Sequence, residues 1–213
     1  IILISSFSFS QETDYQGFMN FYCNNDSGKI ILDIDKLDTE FMYINSLSRG
    51  VGNNDLGLDR GQLGNSRIVY FTKRGNKILL IQPNLRYVSN SSNYLENKAV
   101  EEAFARSVLF GFDIIEISND TYKIDLTPFL INDAHGVSQR LKSSNAGSYS
   151  LNKSMSAIDL ERTKAFPKNI EFDVILTFTG SPAGNLVRSV TPTASNLTVN
   201  QHHSFVELPD NNY

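Results

Sequence analysis

The segment GLDRGQLG places three glycines within residues 57–64, a composition shared with phosphate-binding loops. A Walker loop needs Gly-x4-Gly-Lys-Ser/Thr and a dinucleotide loop needs Gly-x-Gly-x-x-Gly, each followed by a helix whose N-terminal amides face the phosphate. Here the glycines are four and then three residues apart, no Lys-Ser follows, and strand-like residues come next. We therefore interpret Gly57, Gly61 and Gly64 as turn residues.

The histidines are the next candidates for chemistry, and there are three: His135, His202 and His203. A hydrolytic zinc site commonly takes two histidines from a His-Glu-x-x-His helix, and this motif is missing here. His202 and His203 are adjacent on a predicted strand, so their side chains point to opposite faces and cannot easily share one metal ion. A surface or interface role is favoured over metal binding for this pair.

Four carboxylates lie close together in DIDKLDTE, residues 33–40. An EF-hand loop starting at Asp33 would need glycine at its sixth position and glutamate at its twelfth, but Asp38 and Ile44 occupy these positions. The pattern favours a solvated turn after a strand over a calcium site.

Signals for nucleophilic catalysis are weak. Ser204 is next to His203 only in sequence, whereas a catalytic base must reach the hydroxyl in space and be oriented by a third group. GSPAG, residues 180–184, has its serine one place early for a nucleophile elbow. Cys23, the single cysteine, is interpreted as a buried small hydrophobe. We predict no catalytic, cofactor-binding or metal-binding residue in this chain.

Asp59 and Arg60 lie between two of the glycines. An ion pair between them, or capping of a carbonyl by Arg60, would make the turn rigid. A ligand-binding role is the alternative, because convergent polar groups on loops often serve ligands. We favour the structural role.

Composition limits the class of protein. The chain has 213 residues, of which 40% are hydrophobic and 20% charged, a globular balance that permits one sizeable core. Its net charge of −4 gives no general attraction to phosphate backbones, so nucleic acid is not an expected partner. Tyrosine and phenylalanine are abundant and tryptophan is absent, which favours strands over a helical bundle.

The first ten residues, IILISSFSFS, are uncharged and too short to span a bilayer, which takes about 20 residues. They are typical of the end of a secretory signal peptide, with Ser8-Phe9-Ser10 before cleavage at Gln11. An N-terminal strand is the alternative. We expect residues 1–10 to be a signal remnant and residues 11–213 to be one domain of an exported protein, which is secreted, periplasmic or held at the cell envelope.

Alternation of apolar residues predicts most of the remaining chain as antiparallel strands and hairpins. The clearest strand is 169–179, where Ile170, Phe172, Val174, Leu176 and Phe178 share one face. Further strands are predicted at 18–22, 29–34, 41–49, 67–72, 77–82, 114–117, 122–126, 186–191 and 197–208.

Helices are predicted in two places. Val100, Phe104 and Val108 recur every four residues and indicate a core-facing helix over 97–110 that stops at Gly111. A second, short helix within 128–141 is broken at Gly136, and 143–154 is predicted to be a polar loop. The fold class is mainly β (α+β): antiparallel sheets with one or two packed helices.

Four segments carry a resemblance to a known family: GLDRGQLGNSRIVYFTKRGNKILLIQPNLRY, AVEEAFARSVLFGF, AFPKNIEFDVILTFTG and HHSFVELPD. Together they resemble the N-terminal domain of unknown function of large, secreted bacterial zinc-dependent metalloproteases. The resemblance runs from about Gly17 to Asp210. Residues 59–62 and 203–209 are its most specific parts.

The resemblance implies a function for the chain. In that family a metzincin-like zinc site lies in a separate downstream domain, so no zinc ligand is carried over to any residue here. The expectation is a non-catalytic accessory domain that packs on, or assists, a downstream metallopeptidase domain of the same polypeptide. The alternative is a free-standing secreted β module that binds glycans or proteins, for which aromatic strands and Asn-rich loops are suitable.

Overall fold

The structure is a computed structural model that describes residues 12–210. Strands account for most of the regular structure in this range. They are β1 (Glu12–Tyr15), β2 (Phe21–Asn24), β3 (Lys29–Ile34), β4 (Phe41–Arg49), β5 (Leu63–Arg74), β6 (Lys77–Gln82), β7 (Ser107–Ser118), β8 (Thr121–Asp125), β9 (Gly147–Leu151), β10 (Ala157–Phe166), β11 (Asn169–Pro182) and β12 (Asn196–Glu207). Three α-helices are α1 (Tyr94–Ala103), α2 (Thr127–Leu130) and α3 (Val137–Ser143).

All described strands join one antiparallel sheet with the order β1-β2-β3-β8-β7-β6-β5-β4-β12-β11-β10. The strand β9 pairs with the C-terminal end of β11, beyond the part of β11 that pairs with β10. The predicted fold class, mainly β with antiparallel sheets and few helices, is confirmed.

The two ends of the sheet curve towards each other. The N–H of Phe18, just before β2, donates to the carbonyl of Phe166 at the end of β10, with an N–O distance of 2.8 Å. Behind this contact the rings of Phe21 and Phe172 lie 4.9 Å apart between centroids. The sheet therefore rolls around a continuous aromatic core, because the apolar faces of strands from both ends meet inside it.

The strand predictions hold where one face of the strand is buried. All five alternating residues of 169–179 are fully buried. The hairpin of β5 and β6 closes with Arg74 opposite Lys77, so Gly75 and Asn76 form the turn, and Gly75 has φ +60°. The strands predicted at 29–34, 41–49 and 197–208 are observed with close to those bounds, whereas β2 begins at Phe21 and not at residue 18.

The helix predicted over 97–110 is wrong in extent and in burial. The helix α1 spans Tyr94–Ala103, starts at the Asn93 side chain, and contains no buried residue. Val108 lies on β7 opposite Ile81 of β6, and Gly111 is inside the same strand. Val100, Phe104 and Val108 recur every four residues, but this helical spacing is coincidental at Val108, because backbone pairing with β6 places Val108 in a strand.

Three further segments differ from expectation. The region 143–154 contains the strand β9, and β10 has no counterpart among the predicted strands. The segment 186–191, predicted as a strand, forms turns closed by hydrogen bonds such as that from Ser189 N–H to the Asn185 carbonyl. There the buried Val187 is held by a turn and not by a sheet.

Two short helices pack inside the roll. The prediction of a helical region broken at Gly136 is confirmed, because α2 and α3 flank this residue, which has φ +76°. The Phe129 ring of α2 contacts the rings of Tyr43 and Phe205 on β4 and β12. This contact closes the core from one side.

The predicted signal remnant, residues 1–10, lies outside the described residues. Within residues 12–210, no helix is long and apolar enough to cross a membrane.

Candidate functional site

The glycine cluster turns the chain into the sheet. Gly57, with φ +59°, ends a short 3-10 helix, Asn54–Leu56, and Gly61, with φ +83°, donates its N–H to the Leu47 carbonyl. The strand β5 follows directly, so no helix N-terminus faces the loop. A Cβ on Gly64 would lie 2.5 Å from the Asn45 side chain. The interpretation as turn glycines is confirmed for Gly57 and Gly61 and is wrong for Gly64, which lies inside β5.

The arginine that contacts this turn is Arg140 and not the predicted Arg60. The Nη1 of Arg140, on α3, donates to the Gly57 carbonyl at 2.9 Å. No ion pair joins Asp59 and Arg60 among the ion pairs of residues 12–210. A carbonyl of this turn is capped by an arginine, but the arginine is Arg140, 83 positions along the chain from Gly57, and not the predicted Arg60.

His202 and His203 lie on opposite faces of β12, as the spacing predicted. His202 is partly exposed on the outer face of the sheet, and His203 is fully buried on the inner face. Each belongs to a polar cluster. The outer polar cluster comprises His202, Glu171, Asp173, Ser204 and Arg162; the inner polar cluster comprises His203, Tyr43, Gln201, His135 and Asn45.

In the outer polar cluster, the imidazole of His202 lies between two carboxylates of β11. Its Nε2 donates to Glu171 Oε2 at 2.7 Å, and its Nδ1 donates to Asp173 Oδ2 at 3.3 Å. The register places these residues together, because Glu171 is opposite Ser204 and Asp173 is opposite His202. Arg162, from the irregular part of β10, is 3.5 Å from Asp173.

This geometry makes His202 a cation at neutral pH. Hydrogen bonds to Asp173 and to Glu171 raise the pKa of His202 to about 9. Burial by itself raises the pKa of both carboxyl groups, but hydrogen bonds from His202 and its neighbours outweigh burial and hold each pKa below its usual value. Two positive and two negative charges therefore compensate one another in the cluster.

The arrangement is unsuited to a catalytic triad or to a shared metal. Ser204 donates to Glu171 and not to a histidine, so Ser204 and His202 are not paired as the serine and histidine of a triad. The two carboxylates bind opposite nitrogens of the ring, and therefore do not converge on one point. Among residues 12–210, no group of three or more His, Cys, Asp or Glu side chains is arranged to hold a metal ion.

In the inner polar cluster, His203 is held by Tyr43 and Gln201. The Tyr43 hydroxyl is 2.9 Å from His203 Nδ1, and Gln201 Nε2 is 2.8 Å from His203 Nε2. Gln201 in turn accepts from the His135 N–H through Oε1 and donates to the Asn132 carbonyl through Nε2. The cluster thereby ties β4 and β12 to the segment between α2 and α3.

His203 Nε2 has two neighbours that call for opposite tautomers. The second N–H of Gln201 Nε2 points at this nitrogen, because Gln201 Oε1 accepts from His135 and the other N–H donates to Asn132. The Leu130 carbonyl, 3.2 Å from Nε2, can only accept a hydrogen bond from it, and the Tyr43 hydroxyl beside Nδ1 fits either tautomer. Burial lowers the pKa of His203 to about 3, so the ring is neutral.

Two atoms of the inner polar cluster have no hydrogen-bond partner. These are Asn45 Oδ1 and His135 Nε2, although Asn45 Nδ2 is 3.3 Å from His135 Nδ1. Burial and the nearby Arg140 lower the pKa of His135, so this ring is also neutral. Through Gln201, the inner polar cluster holds the backbone of residues 132–135 against β12.

The other candidate residues named from the sequence lie in the core, in a loop and in a strand. Cys23 is fully buried, as predicted. The carboxylates of 33–40 span the end of β3 and an exposed loop in which Asp38 has φ +54° and donates its N–H to the Phe71 carbonyl. Ser181 lies on β11 opposite Ser148 of β9, not at an elbow between a strand and a helix.

A group of exposed apolar side chains lies in residues 83–106, between β6 and β7. Six large apolar side chains there are more than one-third exposed, and we call them the α1 surface: Leu85, Tyr87, Val88, Tyr94, Leu95 and Phe104. The Tyr87 and Phe104 rings stack with centroids 3.9 Å apart. A groove of about 900 Å³ lies beside them and is also lined by Tyr70 and Arg106.

Neither site was fully predictable from local sequence. The partners of His202 lie 29 and 31 residues earlier, and only the register of β11 against β12 brings them together. One sequence feature could have indicated the outer polar cluster: Glu171 and Asp173 occupy alternate positions on one face of an otherwise apolar strand. The α1 surface was missed because Phe104 was assigned to a core-facing helix stripe and the other five residues were given no role.

Comparison with known proteins gives one family. The sequence profile described as "Domain of unknown function (DUF5117)" matches residues 61–213. No curated protein and no solved structure matches the chain significantly.

Proposed function

The chain belongs to the DUF5117 family of domains of unknown function, and on that premise we propose that it is a non-catalytic accessory domain of an exported zinc-dependent metallopeptidase. In this proposal the domain packs against a downstream protease domain of the same polypeptide, which holds the zinc. The link to metallopeptidases depends on the resemblance of the four segments named above, above all residues 59–62 and 203–209.

The α1 surface is the observation that supports packing against another domain. A surface helix normally buries an apolar stripe, but no residue of α1 is buried. Tyr94 and Leu95, at its first turn, are 72% and 69% exposed. Tyr87, Val88, Tyr94 and Phe104 line one groove, and exposed apolar side chains grouped in this way mark interaction surfaces in soluble proteins. The protease domain is the proposed occupant.

The strand β12 does not offer such a surface. It is hydrogen-bonded on both sides, to β4 and to β11, and its inward side chains are buried. The polar groups of its two histidines are engaged within the domain. These contacts support a structural role for both histidines.

Export is part of the proposal and comes from the apolar, uncharged residues 1–10. Expression of the chain behind its native leader, with N-terminal sequencing of the exported product, tests this part. Cleavage before Gln11 is the expected result, and retention of the whole protein in the cytoplasm would contradict it.

The packing test compares hydrogen exchange of residues 94–103 in two proteins: residues 11–213 alone and the polypeptide continued through the next domain. We expect the α1 amides to exchange more slowly in the longer protein, because the protease domain covers them. Equal exchange rates would contradict packing at this surface. A continuation without a His-Glu-x-x-His motif in the next few hundred residues would contradict the metallopeptidase assignment.

Matched substitutions separate docking from general effects. Leu95→Glu places a charge on the α1 surface, whereas Leu63→Glu places the same charge at a leucine of β5 that is 67% exposed. We expect Leu95→Glu to abolish the protection of α1 in the longer protein and Leu63→Glu to leave it unchanged.

The groove beside α1 favours a second candidate function, a free-standing secreted module that binds glycans or proteins. Its volume lies in the range of ligand sites, about 300–1,000 Å³, and Tyr70, Tyr87, Tyr94 and Phe104 line it. Most other aromatic rings are in the core. Glycan-array binding by residues 11–213 that is lost in Tyr94→Ala would favour this candidate over the first.

A further inference from the structure

A small cavity opens near the seam at Phe18, between β3, β4 and the end of β12, and it shares the Glu40 side chain with the groove beside α1. It has a volume of about 170 Å³. Its apolar walls are formed by Phe18, Met19, Ile34, Phe41 and Leu208. Ile34 and Phe41 belong to the buried core, so the floor of the cavity is the core itself.

Charged side chains also line this cavity. They are Asp35, Lys36, Glu40 and Glu207, which gives three negative charges and one positive charge. All four are exposed. None of them takes part in an ion pair among residues 12–210, so the excess negative charge is not neutralised within the described chain.

The shape of the cavity is set by backbone contacts. Phe18 N–H donates to the Phe166 carbonyl, and Asp38 N–H donates to the Phe71 carbonyl at 2.7 Å. The Phe18 and Phe41 rings are in edge contact, 6.2 Å apart between centroids. The walls therefore exist without a ligand, and binding need not order them.

Size and charge together select the occupant. The cavity is smaller than the roughly 300–1,000 Å³ of a site for a drug-sized molecule, and suits a single side chain. An apolar channel with carboxylates beside it complements a methylene stem that ends in a cation. We propose that this cavity binds a lysine side chain of a protein segment, with the stem against Phe18, Met19 and Phe41 and the ammonium beside Glu40 and Glu207. The proposal does not rest on the proposed function, although Glu40 also lines the groove beside α1.

The test is an NMR titration of ¹⁵N-labelled residues 11–213 with the peptide acetyl-Gly-Gly-Lys-Gly-Gly-amide. We expect amide shifts confined to 18–19, 34–41 and 207–208. The matched peptide with norleucine, which keeps the stem and lacks the charge, should bind more weakly by about fivefold or more, as loss of two or three exposed charge contacts predicts. Equal binding of both peptides, or shifts elsewhere only, would overturn the proposal.

Variants test the role of the carboxylates without disturbing the fold, because both are exposed. Glu40→Gln combined with Glu207→Gln should remove the preference for lysine over norleucine. Glu161→Gln, an exposed carboxylate on β10, should keep it. Free 1,5-diaminopentane supplies the same ammonium without a peptide; if it binds as tightly as the lysine peptide, the site is not one for a protein segment.

Discussion

His202 and His203 are adjacent on β12, yet their imidazoles lie on opposite faces of the sheet and hold opposite protonation states. His202 is a cation between Glu171 and Asp173, with a pKa of about 9. His203 is a buried neutral ring beside Tyr43, with a pKa of about 3. The alternation of strand side chains thus separates two groups of the same chemical type, and each has its own consequence for stability.

The first prediction concerns alkaline pH. The folded-state pKa of His202 is raised from 6.5 to about 9, so the folded protein binds the extra proton and its contribution is complete below pH 6.5. The contribution is then lost as pH rises towards 9, by on the order of 2–3 kcal/mol. Urea unfolding at pH 6, 7.5 and 9 measures this loss, and His202→Gln should remove it.

One outcome would contradict the assignment of His202 as a cation in the folded protein. If wild type and His202→Gln lose the same free energy of unfolding between pH 6.5 and 9, the imidazole is not bound as a cation. The buried thiol of Cys23, whose pKa is raised by burial, is common to both proteins and cancels in the comparison.

The second prediction concerns mild acid. Burial depresses the pKa of His203 from 6.5 to about 3, so the unfolded chain takes up a proton below pH 6.5 that the folded protein does not. Stability is therefore retained above pH 6.5 and falls as pH decreases, by up to about 1.4 kcal/mol per pH unit from this residue. Buried His135 acts in the same direction. Unfolding free energies at pH 6.5, 6 and 5 test the slope.

NMR of the imidazoles assigns the effect to the residue directly and needs no variant. Between pH 7.5 and 4.5 the His203 ring nitrogens should not titrate, and their shifts show which of the two nitrogens carries the proton. A His203 ring that titrates near its ordinary value would contradict a neutral ring in the inner polar cluster.

Sequence predicts those strands and turns whose structure is specified by a local pattern of residues. The strand β11 was predictable because Ile170, Phe172 and Phe178 alternate with less apolar residues, which is the pattern of a strand with one face in the core. The turn of β7 and β8 was predictable from SND, where Asn119 and Asp120 take φ of +49° and +62°.

The part that sequence does not predict depends on pairing at a distance. The strand β9 is polar and short, and it is extended because Tyr149 pairs with Gly180 of β11. Val108 fits a helical spacing, but it joins β7 because Ile81 of β6 supplies backbone partners. For the same reason the partners of His202 could not be named before the register of β11 and β12 was known.

The third prediction tests whether the ends of the sheet meet. A Cβ on Gly17 would lie 2.5 Å from the Phe166 carbonyl oxygen and 2.9 Å from its nitrogen, so Gly17→Ala must move backbone apart. We expect a loss of about 1–3 kcal/mol. Gly111→Ala is the control, because its nearest neighbour is the flexible end of Leu79 at 3.3 Å. It should be close to neutral in chemical denaturation. Equal losses in the two variants would mean that the seam at Phe166 is not closed.

The last prediction concerns the difference between the helices α1 and α3. Leu95 of α1 is 69% exposed, and Leu141 of α3 is fully buried against the core. Since alanine and leucine have similar helix propensities, the two Leu→Ala variants differ mainly in lost packing. In residues 11–213, Leu141→Ala should cost about 2–5 kcal/mol and Leu95→Ala no more than about 0.5 kcal/mol. Urea denaturation measures both losses, and a loss for Leu95→Ala that approaches that of Leu141→Ala would show that α1 packs within this domain, which would remove the surface proposed to contact the protease.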